Sequence, residues 1–469
     1  MIPLPIDRIA RAVAARVNGR AVDEPIQRVV TDSREVRPGD LFVAVRGERF
    51  DGHDFVDQAL EAGASACLVS ETADVQHPPS RSCLLEVGET VPALGKLAAW
   101  YRREVMSQNT CVVAITGSNG KTTTKQMLDH VLSVAWVGQA SPRSFNNELG
   151  VPLTLLSSNE GDRYLIVEVG TNAPGEIAAL SALVEPNVAV VTSIGEAHLE
   201  GLGDLSAVAK EKASLLRFVR PGGLAVVNTD RAEIGPFLSV GERVTLKTMG
   251  HEPGADVVTR AVASSLAGTT VELDGRDVYE VPLPGTHHAM NLAAVVTVAR
   301  WLGMDKAQIR DRLRSFAPAS GRAAVTRLGP TTIVDDAYNA NPTSMTAAVH
   351  TLAEATAMRR VMIFGDMFEL GAHCDALHER LIDCACREGI DVIVAVGPAF
   401  TRALARRAGG PCPPRVSFFC FEDAALAAAA MPALTREGDC IWVKGSRAVG
   451  LERVVARLQR VLVPQAAVA

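Results

Sequence analysis

The chain carries no basic excess: 47 Lys and Arg face 53 Asp and Glu, for a net charge of −6. The electrostatic footprint of a nucleic-acid-binding protein is therefore missing. An anionic substrate has to be met by a few local cations, not by a global field. There is no disulfide framework either. Nine cysteines (Cys67, Cys83, Cys111, Cys374, Cys384, Cys386, Cys412, Cys420 and Cys440) are scattered without regular spacing, an odd number that does not close into a scaffold. Cys384-Ala-Cys386 lies in a helical pattern and is not metal-ligand spacing, so these residues read as core or surface thiols. The N-terminus, Met1-Ile2-Pro3-Leu4-Pro5, has no basic stretch followed by a long apolar run, which excludes an ordinary signal peptide. No window approaches the ~18 apolar residues of a membrane span, and the expected location is cytoplasmic. Internal repeats and long low-complexity tracts are missing as well.

What the chain has is length and alternation. At roughly 100–200 residues per domain, its 469 residues predict about three domains of an α/β protein. The first, 1–108, mixes short strands and helices. The turn Arg37-Pro38-Gly39-Asp40 leads into a strand over 41–45, a helix is expected over 54–62, a strand over 66–69 and a longer helix over 91–105. The second, 109–318, opens on the apolar strand 111–115, followed by a Gly-containing loop and a helix with apolar residues at Met127, Leu128, Val131 and Leu132. Apolar runs at 164–167, 188–191 and 224–227 read as strands buried on both faces of a parallel sheet. Val271-Glu272-Leu273-Asp274-Gly275 reads as a hairpin arm ending in an Asp-Gly turn, part of a small antiparallel decoration, and a helix is expected over 289–302. The small residues and Pro of 317–321 mark a boundary. The third domain, 319–469, alternates strands at 332–334, 361–364, 392–396, 416–419 and 441–443 with helices, a doubly wound pattern. No Gly-x-Gly-x-x-Gly follows its first strand, so its order does not imply a dinucleotide.

The segment Thr116-Gly117-Ser118-Asn119-Gly120-Lys121-Thr122 joins a buried strand to a helix through small residues. Loop N–H groups and a helix N-terminus in that arrangement point at anionic oxygens. Lys121 supplies charge to terminal phosphates and the Thr122 hydroxyl suits Mg²⁺. The general phosphate-loop pattern has another Gly five residues before Gly120, where this chain has Ile115. A plain Gly turn is the alternative, but Gly-Lys-Thr after a buried strand is a specific combination.

Thr116 through Thr123 resembles the nucleotide loop of the Mur ligases, which build the peptidoglycan precursor. Ser144-Phe145-Asn146-Asn147-Glu148-Leu149-Gly150-Val151-Pro152, Asp335-Asp336-Ala337-Tyr338-Asn339-Ala340-Asn341-Pro342, Gly365-Asp366-Met367-Phe368-Glu369-Leu370-Gly371 and Lys444-Gly445-Ser446-Arg447 resemble the dipeptide-adding branch of that family, in the expected order over essentially the whole chain. The resemblance implies the three-domain Mur ligase architecture: a UDP-substrate-binding N-terminal domain, a central P-loop ATPase domain and a C-terminal Rossmann-like domain. It implies ATP and Mg²⁺, and as substrates UDP-N-acetylmuramoyl-tripeptide and D-alanyl-D-alanine, joined by a monomeric enzyme through an acyl phosphate.

That chemistry needs charge neutralisation on the phosphates and positioning of both reactants, for which magnesium held by few protein oxygens is suited. Glu168 ends a buried strand at a sheet edge, where ligands bind; a structural ion pair is its bland alternative. His198 follows the next strand and by itself reads as structural as readily as functional. Lys212 reads from its helix as a solvated lysine. The resemblance makes Glu168 and His198 magnesium contacts. It matches Lys212 to a lysine often carbamylated in the family, with Lys210 close enough to be confused with it. Asn291 resembles the adenine-binding Asn, Arg322 the linker Arg that reaches the ATP phosphates, and Asp336 the ribose-contacting Asp, with Asn339 beside the nucleotide. Asp335 is disfavoured because strand neighbours point to opposite faces. Asp32-Ser33-Arg34 resembles the uridine-side motif, where Ser33 and Arg34 offer donors to a diphosphate. Asn146 and Asn147 are expected near the reacting end of the sugar-peptide, and Lys444, Ser446 and Arg447 at a basic strand end facing the cleft.

Two rivals remain on sequence grounds. A single-amino-acid-adding relative, of muramyl peptides or of folate, is disfavoured because no Asp-Asn-Pro-Arg-like motif occurs in the third domain. A phosphate-loop NTPase switch does not need the motifs of the first and third domains.

Overall fold

The computed structural model describes residues 1–19, 23–47, 49–71, 82–407 and 416–462; Cys412 lies outside them. Three sheets carry the architecture. In the first, the strands run in the order Arg16–Gly19, Cys83–Val87, Ala66–Ser70, Asp40–Val43, Arg28–Val30, all parallel except Arg16–Gly19. The Pro38-Gly39 turn closes with the Asp40 N–H donating to the Arg37 carbonyl at 3.1 Å, and Gly39 takes φ +91°. The expected 54–62 helix is split. A 3₁₀ turn, Gly52–Phe55, is capped by the Asp51 carboxylate and runs into the short helix Val56–Glu61.

The second sheet has nine strands, ordered Asp277–Val281, Gly268–Leu273, Val257–Ser265, Thr245–Gly250, Leu224–Asn228, Val188–Val191, Cys111–Thr116, Tyr164–Glu168, Gly138–Ala140. The strands of its centre are almost entirely buried, as their continuous Val/Ile/Leu runs require of a parallel sheet covered on both faces. Cys111–Thr116 lies between Tyr164–Glu168 and Val188–Val191, so the chain leaves it on one side and returns on the other. Ligands bind at such a switch, beyond the carboxyl ends of the strands. The antiparallel hairpin is present, with Asp274 and Gly275 both at positive φ, but it continues the nine-stranded sheet as its edge. The short strands Gly138–Ala140 and Thr245–Gly250 have no matching sequence expectation; both are largely half-exposed and carry polar residues.

The third sheet is ordered Ala324–Leu328, Thr331–Asp336, Asp439–Lys444, Arg359–Gly365, Val392–Val396, Ser417–Phe421, parallel except for Ala324–Leu328. Asp336 and Lys444 are register partners at the carboxyl ends of adjacent strands.

The first and second sheets share a core. Helix Thr90–Glu104 packs on helices Gly150–Leu156 and Glu176–Val184. The buried Arg102 guanidinium donates to the Val184 and Glu185 carbonyls and to Asn187 Oδ1, each at 3.0 Å. Those acceptors replace the water that a buried cation gives up. On the other face of the nine-stranded sheet, helix Lys121–Leu132 packs against His288–Trp301, burying Met127, Leu128, Val131 and Leu132 as their spacing predicted. Among the described residues no helix is long and apolar enough to cross a membrane.

Candidate active site

A cavity of about 630 Å³ lies between the carboxyl ends of the second and third sheets, with Lys121, Glu168, His198, Asn291, Arg322 and Asp336 among its lining. Its floor is the end of the loop, Ser118 to Gly120. Thr116 ends its strand fully buried, and the helix begins at Lys121, so the first-turn N–H groups have no intrahelical acceptor. Ser118 exchanges hydrogen bonds with Gly195, its Oγ donating at 3.0 Å and accepting at 2.9 Å. The Asn119 N–H donates to Ser193 Oγ at 2.8 Å, and Thr123 is buried one turn in. The Lys121 ammonium donates to the Gly117 carbonyl at 2.6 Å, curling back over the loop.

The two loop glycines are required by space. A Cβ on Gly117 would lie 2.0 Å from Thr192 Oγ1, and one on Gly120, at φ +82°, 2.1 Å from Asn291 Oδ1. Asn291 thus lies against the loop, in the first turn of His288–Trp301, with its amide 3.2 Å from His288 Nδ1. Gly120→Ala is expected to cost at least about 1–2 kcal/mol from the left-handed backbone, with further loss from displacing Asn291. An unchanged urea midpoint would contradict this reading.

Glu168 is almost fully buried and entirely engaged. Its carboxylate accepts from Thr122 Oγ1 and Asn146 Nδ2, each at 3.0 Å, and lies 3.2 Å from the Lys125 ammonium. Lys125 carries no motif signature; it is one helical turn beyond Lys121 and also donates to Ser141 and to the Arg143 carbonyl. Asn147 turns away, accepting from the Leu149 and Gly150 N–H groups.

Lys212 is completely buried, and its side-chain nitrogen has no hydrogen-bond partner among the described residues. Burial, reinforced by the charge of Lys121, holds its pKa well below the usual lysine value. Lys210, the neighbour close enough to be confused with it, is exposed. Glu211 is spent on the N–H groups of Gly175 and Ile177.

The third sheet closes the cavity. The Arg322 guanidinium donates to Thr122 Oγ1 at 3.0 Å and lies 4.0 Å over the Tyr338 ring, a cation–π contact. Tyr338 Oη donates to Ser144 Oγ at 2.9 Å, and Asn341 Nδ2 to Asn119 Oδ1 at 2.7 Å. Asp336 lies 2.8 Å from the Lys444 ammonium, which also donates to the Asn339 carbonyl. Asp335 points the other way, accepting from Ser320 Oγ and the Gly321 N–H at 2.8 Å each, so it anchors the linker. Near this end His287 and His288 also line the cavity. Asn228, Asp230 and His251 also line this cavity without any sequence motif; His251 Nδ1 lies 2.8 Å from Asp230 Oδ2.

Seven predicted residues lie off the cavity wall: Thr116 and Gly117 beneath the loop, the buried Lys212, and Ser33, Arg34, Ser446 and Arg447. Of the strand-end group expected to face the cleft, only Lys444 lines it. Ser446 Oγ accepts from the Phe368 N–H, and Arg447 is exposed, 5.5 Å over Tyr338. Ser33 and Arg34 belong to the first sheet's unit, where Arg34 pairs with Asp32 at 2.6 Å and Ser33 Oγ donates to Gln58. Arg34 holds the Asp32 carboxyl down to about 2.

Around the loop, the cations Lys121, Lys125 and Arg322 face the carboxylates Glu168 and Glu369. A few cations gathered at the loop of an acidic chain are what an anionic polyphosphate requires. Residues 115–299 match the Mur ligase middle domain, 321–447 the Mur ligase glutamate ligase domain and 25–111 the Mur ligase family catalytic domain. The chain belongs to the Mur ligase family. Within that family it is 35% identical to the UDP-N-acetylmuramoyl-tripeptide–D-alanyl-D-alanine ligase of Escherichia coli K12, covering 98% of this chain and 99% of that one. It is 32% identical to the enzyme of the same name from Bacillus subtilis, covering 97% and 98%. Among Mur ligase structures, a crystal structure of MurF from Acinetobacter baumannii superposes with a TM-score of 0.87 at 30% identity over 98% of this chain and 99% of that one. MurF ligase from Thermotoga maritima in complex with ADP gives 0.79 at 30% identity over 93% and 98%.

Proposed function

We propose that this Mur ligase adds D-alanyl-D-alanine to UDP-N-acetylmuramoyl-tripeptide at the expense of ATP, forming the pentapeptide precursor of peptidoglycan. Full-length similarity to dipeptide-adding relatives supports the substrates. The observation that carries the chemistry is the cavity in which Lys121 and Glu168 of one sheet meet Arg322 and Asp336 of another. We assign the three sheets to domains 1–108, 109–318 and 319–469, acting as a cytoplasmic monomer.

A carboxylate is a poor leaving group, so the tripeptide's terminal carboxylate must first take the γ-phosphoryl of ATP. Loop N–H groups and Lys121 hold the phosphates, and Arg322 reaches them from the linker. Asn291 takes the adenine edge, while Asp336 takes the ribose with Asn339 beside it. The residues fit magnesium. The Thr122 hydroxyl and Glu168 carboxylate, 3.0 Å apart on the cavity wall, are hard oxygen donors. The orphaned Lys212 nitrogen fits conversion to a carbamate, because burial favours the neutral amine that reacts with CO₂, releasing one proton. Thr122, Glu168, His198 and carbamylated Lys212 would hold the metal, and bound magnesium would neutralise charge on the phosphate oxygens.

The dipeptide amine then attacks the acyl phosphate carbonyl, and the C–O bond to phosphate breaks as the amide forms. Because nucleotide contacts come from both sheets, ATP favours closure, and closure protects the acyl phosphate from water. Asn146 stands near the reacting end and Asn147 next to it. Lys444, Ser446 and Arg447 serve the anionic peptide from the third domain. Ser33 and Arg34 serve the distant UDP end, where Arg34 would exchange Asp32 for a diphosphate.

The test is coupled phosphate release. It should require ATP, magnesium, UDP-N-acetylmuramoyl-tripeptide and D-alanyl-D-alanine together. Equal release with either peptide substrate omitted would refute ligation. Running it with diaminopimelate- and lysine-containing tripeptides identifies the preferred acceptor.

A further inference from the structure

His198 and Glu369 meet across the boundary between the second and third sheets, with His198 Nδ1 2.5 Å from Glu369 Oε2 in an ion-pair contact that is not in line for a hydrogen bond. Both residues have left-handed backbones, at φ +57° and +62°, which non-glycine residues seldom adopt without a local reason. The surrounding contacts hold both in register. The Glu200 N–H donates to the Glu369 carbonyl at 3.1 Å. A Cβ on Gly371, itself at φ +53°, would lie 3.3 Å from the Glu200 Cα. The Phe368 N–H donates to Ser446 Oγ at 3.2 Å, and Arg380 pairs with Glu196 nearby. The His198 ring also lines the central cavity.

A half-exposed ion pair at a domain edge is ordinarily worth little, so the bland reading is a docking contact. Two facts favour a more specific one. The carboxylate meets one particular ring nitrogen, and both residues take unusual backbones where they meet. A histidine that ligates a metal through one ring nitrogen commonly donates its other N–H to a carboxylate, which fixes tautomer and ring orientation. We propose that Glu369 is the positioning residue of His198: once the ring turns into line it accepts the Nδ1 proton, leaves Nε2 as the free donor toward the cavity, and makes metal affinity depend on docking of the third domain. This inference rests on the proposed metal role of His198.

The experiment titrates Mn²⁺ into the full chain at saturating AMP-PNP, reading enzyme-bound metal by water-proton relaxation. Glu369→Ala should weaken Mn²⁺ binding about 10–100-fold. Glu369→Gln, whose amide oxygen still accepts the Nδ1 proton, should retain most of the affinity. Arg380→Ala breaks the neighbouring pair without touching His198 and should bind as wild type. Equal losses in Glu369→Gln and Glu369→Ala would overturn the proposal, as would an Arg380→Ala loss matching Glu369→Ala. If Glu369→Ala binds normally while His198→Ala is weakened, positioning fails and the metal reading stands. If His198→Ala also binds normally, the metal reading itself fails.

Discussion

Lys212→Met is expected to abolish ligation while making the ligand-free protein more stable. The Lys212 side chain is fully buried with no partner for its nitrogen among the described residues. The fold therefore bears the desolvation of a polar group for which it offers nothing in exchange. Methionine fills a similar volume without a nitrogen, and replacing buried charged groups by matched apolar ones is often stabilising. The gain should be about 1–3 kcal/mol in a urea titration, with phosphate release falling at least about a thousandfold if Lys212 carries the carbamate. Lys212→Ala should be equally inactive, and short carboxylic acids should restore part of its activity by supplying the missing carboxylate. Full activity of either variant would sink the assignment. Unchanged or lower stability of the Met variant would show that the nitrogen has a stabilising partner in the free protein.

Glu168→Ala should lose both activity and stability, and the two losses should separate. The buried carboxylate lies 3.2 Å from the equally buried Lys125 ammonium. Removing one partner of such a pair leaves an uncompensated charge, at a cost of about 3 kcal/mol. Glu168→Ala/Lys125→Met should recover most of that stability, because the stranded cation is gone. It should recover none of the ligation, because the oxygen beside Thr122 is still missing. A double variant as unstable as the single one would mean that Glu168 holds the fold through Thr122 and Asn146 instead. Ligation by the double variant would remove Glu168 from the chemistry.

Much of this could be read from the sequence because it is local. The buried strand Cys111–Thr116, the loop after it and the helix from Lys121 follow from an apolar run, loop glycines and helical spacing, all within about two dozen positions. The face of Asp336 against that of Asp335 follows from strand alternation, and the structure shows the consequence: one carboxylate pairs with Lys444, the other with the linker. The Asp274-Gly275 turn is likewise announced by residues that tolerate positive φ. The limits are equally physical. Strands such as Gly138–Ala140 and Ala324–Leu328 exist because a neighbour offers hydrogen bonds, not because their composition demands a strand. Lys125 looked like any helix lysine until Glu168, 43 positions away, came within 3.2 Å.

By itself, then, the sequence determined the phosphate loop, the alternation that builds three α/β units and, through its family motifs, the company that loop keeps. Only the tertiary structure decided which lysine of Lys210 and Lys212 is buried, which cation balances Glu168, and that Glu369 reaches His198. Patterns of short range encode backbone shape and which face is apolar. Burial, charge balance and meetings between domains depend on groups distant in the chain, whose energies exist only once the sheets have packed.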